Sequence, residues 1–223
     1  MSEVTDPGRH RSSALTHGQA WAYAVIGLAV AVAYGAVWTR GIQGDDLCMC
    51  ELANTRGYWE TVLFWLQQWN GRLFLALTQI GSYHLPWFSS PLQAPWFVLH
   101  GAVVLAHMAV CCLLFNWLSR AGINAAIALS ASLVMAVHPV TFESVVWLAA
   151  AYGYVFGTLL TMLAVQAYLA FDRSGRGAWL GLAVVLALAA SLGIEQYLGM
   201  LGALAIVRLV HSRWHQPRTS VWI

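Results

Sequence analysis

Long apolar runs dominate the chain and predict helices that cross a membrane. A span needs about 20 apolar residues, because each residue of a helix rises 1.5 Å. We assign four runs directly, and two shorter runs become long enough when a few flanking residues are added. The four are 18–38, 96–118, 152–171 and 178–192, and the shorter two are 124–137 and 197–210. The pattern therefore predicts an all-α, polytopic membrane protein with about six spans.

Composition supports lipid as the solvent for most of the chain. Hydrophobic residues make up 60% and charged residues only 9%, whereas a soluble domain carries about 25% charged residues. Many of the 12 tryptophans lie near the ends of the apolar runs, where the ring favours the headgroup level. Membrane lipid is thus a predicted partner. The sequence has no patch in which basic and aromatic residues alternate, so nucleic acid is not a predicted partner.

The placement of arginine predicts the orientation. The sequence has no lysine, and eight of its 11 arginines become cytoplasmic when the N-terminus is placed inside. Basic residues concentrate on the cytoplasmic side. We therefore predict a flexible cytoplasmic tail at 1–17, a single transmembrane domain at 18–212 with an outer loop at 39–95, and a second cytoplasmic tail at 213–223. The predicted location is a bacterial cytoplasmic membrane.

Acidic residues gather on the predicted outer face. Six of the nine lie there: Asp45, Asp46, Glu51, Glu60, Glu143 and Glu195. Solvation of a loop explains any one of them equally well. Glu143 and Glu195, however, lie beside long apolar runs, where an unpaired carboxylate is costly. Together the acids predict a polar, acid-lined hollow at the outer membrane surface.

The outer loop contains about 57 residues, and loops of that length are usually functional. Its first part, 41–46, predicts a turn that presents Asp45 and Asp46 above the membrane, one to act on a substrate and one to orient a partner or a divalent metal. Most such acid pairs are only solvated turns. Further along, 58–77 predicts one or two amphipathic helices. Their aromatic face is expected in the membrane interface and consists of Tyr58, Val62, Trp65, Leu66 and Trp69, which recur at spacings of three and four. After an interruption, Arg72 either binds a phosphate or pairs with a loop acid.

Two further residue pairs have chemistry that the sequence leaves open. A disulfide between Cys48 and Cys50 would be strained, so we predict unpaired or loosely redox-active thiols. His100 and His107 lie seven residues apart on one face of a predicted span. Histidines in that position can ligate haem or a chlorophyll-type pigment, although a packed, hydrogen-bonded role is favoured.

Three short motifs follow one another along the predicted outer face. The first is Gly44-Asp45-Asp46 with the later Asn70-Gly71-Arg72, the second runs from His138 to Trp147, and the third runs from Ser191 to Gln196. In this order they resemble the N-terminal half of GT-C membrane glycosyltransferases, the class of protein O-mannosyltransferases and bacterial O-antigen glucosyltransferases. The resemblance covers most of the region from 18 to 212.

The resemblance implies a role for each matched residue. Asp45 or Asp46 would be the catalytic base or help to bind a metal, and Arg72 would contact the phosphate of a polyprenyl-phosphate-linked sugar. Three further residues would line the same cavity: Glu143, Glu195 and His138. An inverting transfer does need a carboxylate that deprotonates the acceptor hydroxyl.

The sequence also departs from the GT-C pattern. Related proteins often carry a Gly-Arg pair after the position of Trp147, where this chain has Leu148-Ala149. They also continue with at least one more helix and a C-terminal module, whereas this sequence ends at Ile223. The resemblance therefore implies a partner that supplies the missing half. Two functions follow: a GT-C-like glycosyltransferase module, or a non-catalytic subunit of a larger membrane complex, a scaffold associated with haem or pigment. A transporter ranks last, because no internal repeat is evident.

Overall fold

A computed structural model shows helices joined by short connections. The structure describes residues 11–39, 45–68, 72–84, 96–194, 196–199 and 202. Helices account for nearly all of these residues, and no strand occurs among them. The predicted all-α class is therefore confirmed.

Nine α-helices and one 3₁₀ helix make up the described residues. In chain order they are α1 (Arg11–Tyr34), the 3₁₀ helix Gly35–Thr39, α2 (Asp45–Thr55), α3 (Tyr58–Gln68), α4 (Leu73–Tyr83), α5 (Trp96–Arg120), α6 (Ala125–Val137), α7 (Pro139–Val146), α8 (Leu148–Ser174) and α9 (Gly177–Gly193).

Three of the helices are long and apolar enough to cross a membrane. They comprise Gly18–Val37, Trp96–Arg120 and Leu148–Ser174. The predicted spans at 124–137 and 178–192 correspond to α6 and α9, which are apolar but have only 13 and 17 residues. Most of the sixth predicted span, 197–210, lies outside the described residues. The structure thus supports a membrane protein, and the count of six spans stays a prediction.

A proline explains why α6 is short. His138 precedes Pro139 and has φ −65° and ψ 133°, an extended conformation. The ring of a proline disfavours helical geometry at the residue before it. The chain therefore leaves α6 at Val137 and starts the short helix α7 directly afterwards.

The outer loop is more ordered than the sequence suggested, because α2, α3 and α4 all lie within it. Asp45 and Asp46 begin α2, so the turn predicted at 41–46 is wrong for these two residues, and 41–44 lie outside the described residues. Acidic residues stabilise the first turn of a helix by interacting with its dipole. The predicted helical region 58–77 is confirmed as two helices, with α3 ending at Gln68 and α4 beginning at Leu73.

The predicted orientation of the aromatic face of α3 is wrong. We expected Val62 and Trp65 to lie in the membrane interface, but their exposed fractions are 2% and 5%. The Tyr58 hydroxyl also donates a hydrogen bond to the Leu77 carbonyl on α4 at 3.1 Å. This face therefore packs against protein.

The chain divides into two compact units, comprising 1–47 with 90–151, and 48–89 with 152–223. In the first unit, α1, α5 and α6 pack against one another, with Ile26, Val30 and Val103 nearly inaccessible. In the second unit, α4 packs on α3 and on α9.

Candidate functional site

Asp46 makes a polar contact with a residue that is far from it in the sequence. It lies in the first turn of α2, and its side chain is 1% exposed. One carboxylate oxygen, Oδ1, accepts a hydrogen bond of 2.7 Å from the backbone N–H of Ala149. Ala149 is the second residue of α8, and the N–H groups in the first turn of a helix have no partner within it.

The contact of Asp46 has the chemistry of a helix cap provided by a distant residue. Trp147 precedes α8, and its indole has no acceptor that could cap the helix. Asp46 provides the acceptor from 103 positions away in the sequence. This carboxyl oxygen also lies at the positive end of the α8 dipole. The structure therefore joins the first motif of the GT-C resemblance to the residues that follow the second.

The structure describes less of the other predicted acids than of Asp46. Asp45 is the first residue of α2 and Glu143 lies on α7, but the side chains of both lie outside the described residues, as does Glu195 altogether. The predicted acid-lined hollow therefore stays a prediction. A surface groove on the first unit has an entirely apolar lining and includes none of the predicted site residues. It is lined by Val25, Leu28, Ala29, Val32, Ala33, Leu133 and Val137.

Arg72 and His138 both occupy the ends of helices. Arg72 lies in the second unit at the N-cap position of α4, is half-buried, and makes no capping bond through its side chain. His138 lies in the first unit at the end of α6, and its side chain is exposed. Its carbonyl accepts hydrogen bonds from Thr141, at 2.9 Å from the backbone N–H and 2.7 Å from the hydroxyl.

A buried polar cluster, which we call the α6-end cluster, surrounds the last turn of α6 and comprises Tyr34, His107, Ala136 and Thr141. The Tyr34 hydroxyl lies 3.1 Å from Thr141 Oγ1, and His107 Nε2 lies 3.4 Å from the Ala136 carbonyl. Because Thr141 uses its one hydroxyl proton towards a carbonyl, Tyr34 must be the donor between them. The cluster provides donors for carbonyls that the break at Pro139 leaves without helical partners.

The residues around His100 and His107 do not fit an axially ligated haem or pigment. The two side chains are 1% and 3% exposed, and both ring nitrogens of His100 are buried. His107 Nε2 faces a backbone carbonyl, and the edge of the Tyr34 ring packs against the imidazole at a centroid distance of 5.3 Å. A macrocycle needs an open face at a ring nitrogen. The packed, hydrogen-bonded role is the one that the geometry of His107 supports.

The described residues around Asp46 offer few ligands for the predicted divalent metal. Magnesium and calcium take about six oxygen ligands, most of which come from carboxylates, carbonyls and water. No group of three or more His, Cys, Asp or Glu side chains converges anywhere in the described part of the chain. The buried Oδ1 of Asp46 is already bound to Ala149. Because the side chain of Asp45 lies outside the described residues, a divalent metal at Asp45 and Asp46 stays a prediction.

The two cysteines of α2 differ in accessibility. Cys48 is exposed and Cys50 is buried, and neither forms a disulfide. Burial raises the pKa of the Cys50 thiol, against a smaller opposing effect of its hydrogen bond from Asn54. A thiol must ionise before it acts as a nucleophile. Of the two, Cys48 is therefore the accessible one.

Sequence reasoning missed a contact in the second unit that depends on two glycines. Tyr197 lies against Gly157 of α8, and its hydroxyl donates to the Tyr154 carbonyl at 2.8 Å. Ile194 lies against Gly153, one turn earlier on the same helix. The spacing Gly153-x-x-x-Gly157 was the available signal, because two small residues four apart let another segment approach closely.

Comparisons with known proteins found no family model, curated protein or solved structure that matches this chain.

Proposed function

We propose that this chain is a GT-C-like membrane glycosyltransferase module that uses a polyprenyl-phosphate-linked sugar at the outer face of the membrane. The observation that supports it most is the 2.7 Å hydrogen bond between Asp46 and Ala149. The first motif, at Asp45 and Asp46, and the second, which ends at Trp147, are distant in sequence but belong to one compact unit, and this bond joins Asp46 to the residue two positions after the second motif. A carboxylate near the ends of spanning helices suits a donor whose lipid tail stays in the bilayer.

The two aspartates have different roles in this proposal. Asp46 is a positioning residue, because its carboxylate is buried and bound to the start of α8. Asp45 is the base that removes the proton from the acceptor hydroxyl. The acceptor oxygen then bonds to the anomeric carbon as the bond from that carbon to the phosphate oxygen breaks. The polyprenyl phosphate leaves with the electron pair.

The remaining predicted residues bind the donor in this proposal. Arg72 has a planar guanidinium that can contact two phosphate oxygens at once. His138 is exposed at the end of α6 and contributes a second donor to the phosphate. Glu143 and Glu195 line the sugar side of the cavity. With both termini cytoplasmic, all of these groups face outward.

A comparison of three acid variants tests the proposal. We expect Asp45→Asn to lower transfer from a radiolabelled polyprenyl-phosphate sugar in native membranes by about 100-fold or more, since general bases contribute 10²–10⁴-fold. Asp46→Asn should lower both thermal stability and transfer. Glu51→Gln is the control, because Glu51 lies exposed on the same helix. Unchanged transfer in both aspartate variants would contradict the proposal.

A non-catalytic subunit of a larger membrane complex is the second candidate. The observation that favours it is again Asp46, because a buried helix cap is a structural role that needs no substrate. Isolation in mild detergent with mass spectrometry distinguishes the two functions. Bound polyprenyl phosphate, on the chain alone or with a partner that completes the donor groove, supports the transferase. Fixed stoichiometry among unrelated subunits without that lipid supports the scaffold.

A further inference from the structure

The side chains of α3 divide into three flanks. One flank is buried against the protein and contains Thr61, Val62 and Trp65. A second flank is polar and exposed, with Glu60, Gln67 and Gln68. The third is apolar and exposed, and we call its residues, Trp59 and Leu63, the α3 stripe.

The buried flank fixes the orientation of α3. Thr61 is inaccessible, and its hydroxyl donates to the Leu52 carbonyl on α2 at 3.5 Å. Tyr58 is bonded to the Leu77 carbonyl on α4. Since α3 is held in this way, it cannot turn about its axis to bury the α3 stripe.

The polar flank is suited to water. Glu60, Gln67 and Gln68 are exposed, and the Arg56 guanidinium lies over the Phe64 ring at 4.6 Å from its centroid. Arg56 is itself exposed. A cation packed on an aromatic ring keeps its polar edge available for solvent or for headgroups.

The α3 stripe is neither buried nor polar. The exposed fractions are 65% for Trp59 and 58% for Leu63, and their spacing of four residues puts them on successive turns. The Tyr58 ring packs edge-on against Trp59 at a centroid distance of 4.9 Å. The indole is therefore held in place while most of its surface stays open.

We infer that the α3 stripe lies in the lipid interface, so that α3 rests along the bilayer surface with its polar flank in water. The α3 helix belongs to the connection between two helices that are long and apolar enough to cross a membrane, so bilayer lies at both ends of this segment. Tryptophan is the residue type that favours headgroup depth. A helix with an apolar and a polar flank side by side has the pattern of one lying in the interface.

Lipid is favoured over water and over another protein as the surroundings of the α3 stripe. Water would leave two large apolar side chains solvated on a helix that is otherwise sorted by polarity. The stripe is also only two residues wide, which is small for a stable protein interface and sufficient for an interfacial anchor. The inference does not depend on the proposed transferase activity.

Fluorescence quenching by brominated lipid tests the inference in the full chain. The protein would be reconstituted in phosphatidylcholine vesicles with or without bromine at the acyl 6,7 positions. The difference between the wild type and Trp59→Phe isolates the emission of Trp59 among the 12 tryptophans. Trp65→Phe is the matched control, because Trp65 lies on the same helix but is buried.

We expect the brominated lipid to quench the Trp59 component and to leave the Trp65 component unchanged. Quenching of Trp59 by aqueous acrylamide and not by brominated lipid would overturn the inference in favour of a water-facing stripe. Protection from both quenchers would overturn it in favour of a protein partner.

A second pair of variants keeps the test independent of Trp59. Leu63→Trp should add emission that brominated lipid quenches, whereas Gln68→Trp, at an exposed polar position well round the helix from Leu63, should add emission that acrylamide quenches. Equal behaviour of the two would count against the inference, since they lie on different flanks of one helix.

Discussion

Asp46 and Ala149 lie 103 positions apart in the sequence, and a 2.7 Å hydrogen bond joins the carboxylate of one to the backbone N–H of the other. Asp46 is 1% exposed, so this bond satisfies a buried charge and a helix N-terminus at the same time. The start of α2 is thereby attached to the start of α8. Asp46 therefore has a structural role, whether or not the chain catalyses a reaction.

We expect Asp46→Ala to lower the free energy of unfolding by about 1 kcal/mol or more, because alanine removes the acceptor that caps α8. Asp46→Asn keeps an oxygen acceptor and should have a smaller effect. Thermal unfolding in detergent, followed by circular dichroism, measures both. The control is Glu51→Ala on the exposed face of α2. If Asp46→Ala and Glu51→Ala behave alike, the cap contributes nothing.

Gly157 should tolerate no side chain. A Cβ at this position would lie 2.8 Å from Tyr197 Cζ, well inside contact distance. We expect Gly157→Ala to destabilise the protein by about 1–3 kcal/mol, as overpacking does. Thermal unfolding again measures the effect.

Two comparisons sharpen the glycine prediction. Gly181 on α9 has nothing within 4 Å of its Cβ direction, so Gly181→Ala should be neutral or stabilising by a few tenths of a kcal/mol. Adding Tyr197→Ala to Gly157→Ala should recover part of the loss, because the clash disappears. A double variant in which the two effects simply add would show that Tyr197 is not what Gly157 accommodates.

The hydroxyl of Tyr34 should stabilise the α6-end cluster only through Thr141, its partner at 3.1 Å. A double-mutant cycle of Tyr34→Phe and Thr141→Val measures their coupling. We expect about 0.6 kcal/mol, the average for such bonds between membrane helices. Tyr23→Phe is the control on α1, where the ring contacts Phe115. A coupling energy of zero would mean that the two hydroxyls do not interact.

The cysteines of α2 should differ in reactivity. Cys48 is exposed, whereas Cys50 is buried and its pKa is raised by burial. A raised pKa lowers the thiolate fraction at a given pH, so maleimide should label Cys48 near neutral pH and reach Cys50 only as the pH rises or the protein unfolds. Mass spectrometry of the labelled peptide measures each site. Equal labelling at neutral pH would contradict the burial of Cys50.

Much of the fold follows from the apolar runs. The helix at 96–118 was predicted almost to its ends, and the predicted interruption of the helical pattern is confirmed at Arg72, the residue before α4. The burial of Val62 and Trp65 against protein was not predicted, because both are apolar whether a protein core or a bilayer covers them. The acids were recognised as a group, but the sequence could not tell a solvated acid from a helix cap.

The sequence by itself determined the helical class, the solvent and the positions of the breaks. Length, apolarity and proline act locally, through the rise of a helix, the depth of the bilayer and the geometry before Pro139. The tertiary structure decided which distant groups meet. The contacts of Asp46 with Ala149 and of Tyr197 with Gly157 join elements separated by many residues. Such contacts depend on how helices pack, and no local pattern in the sequence fixes that packing.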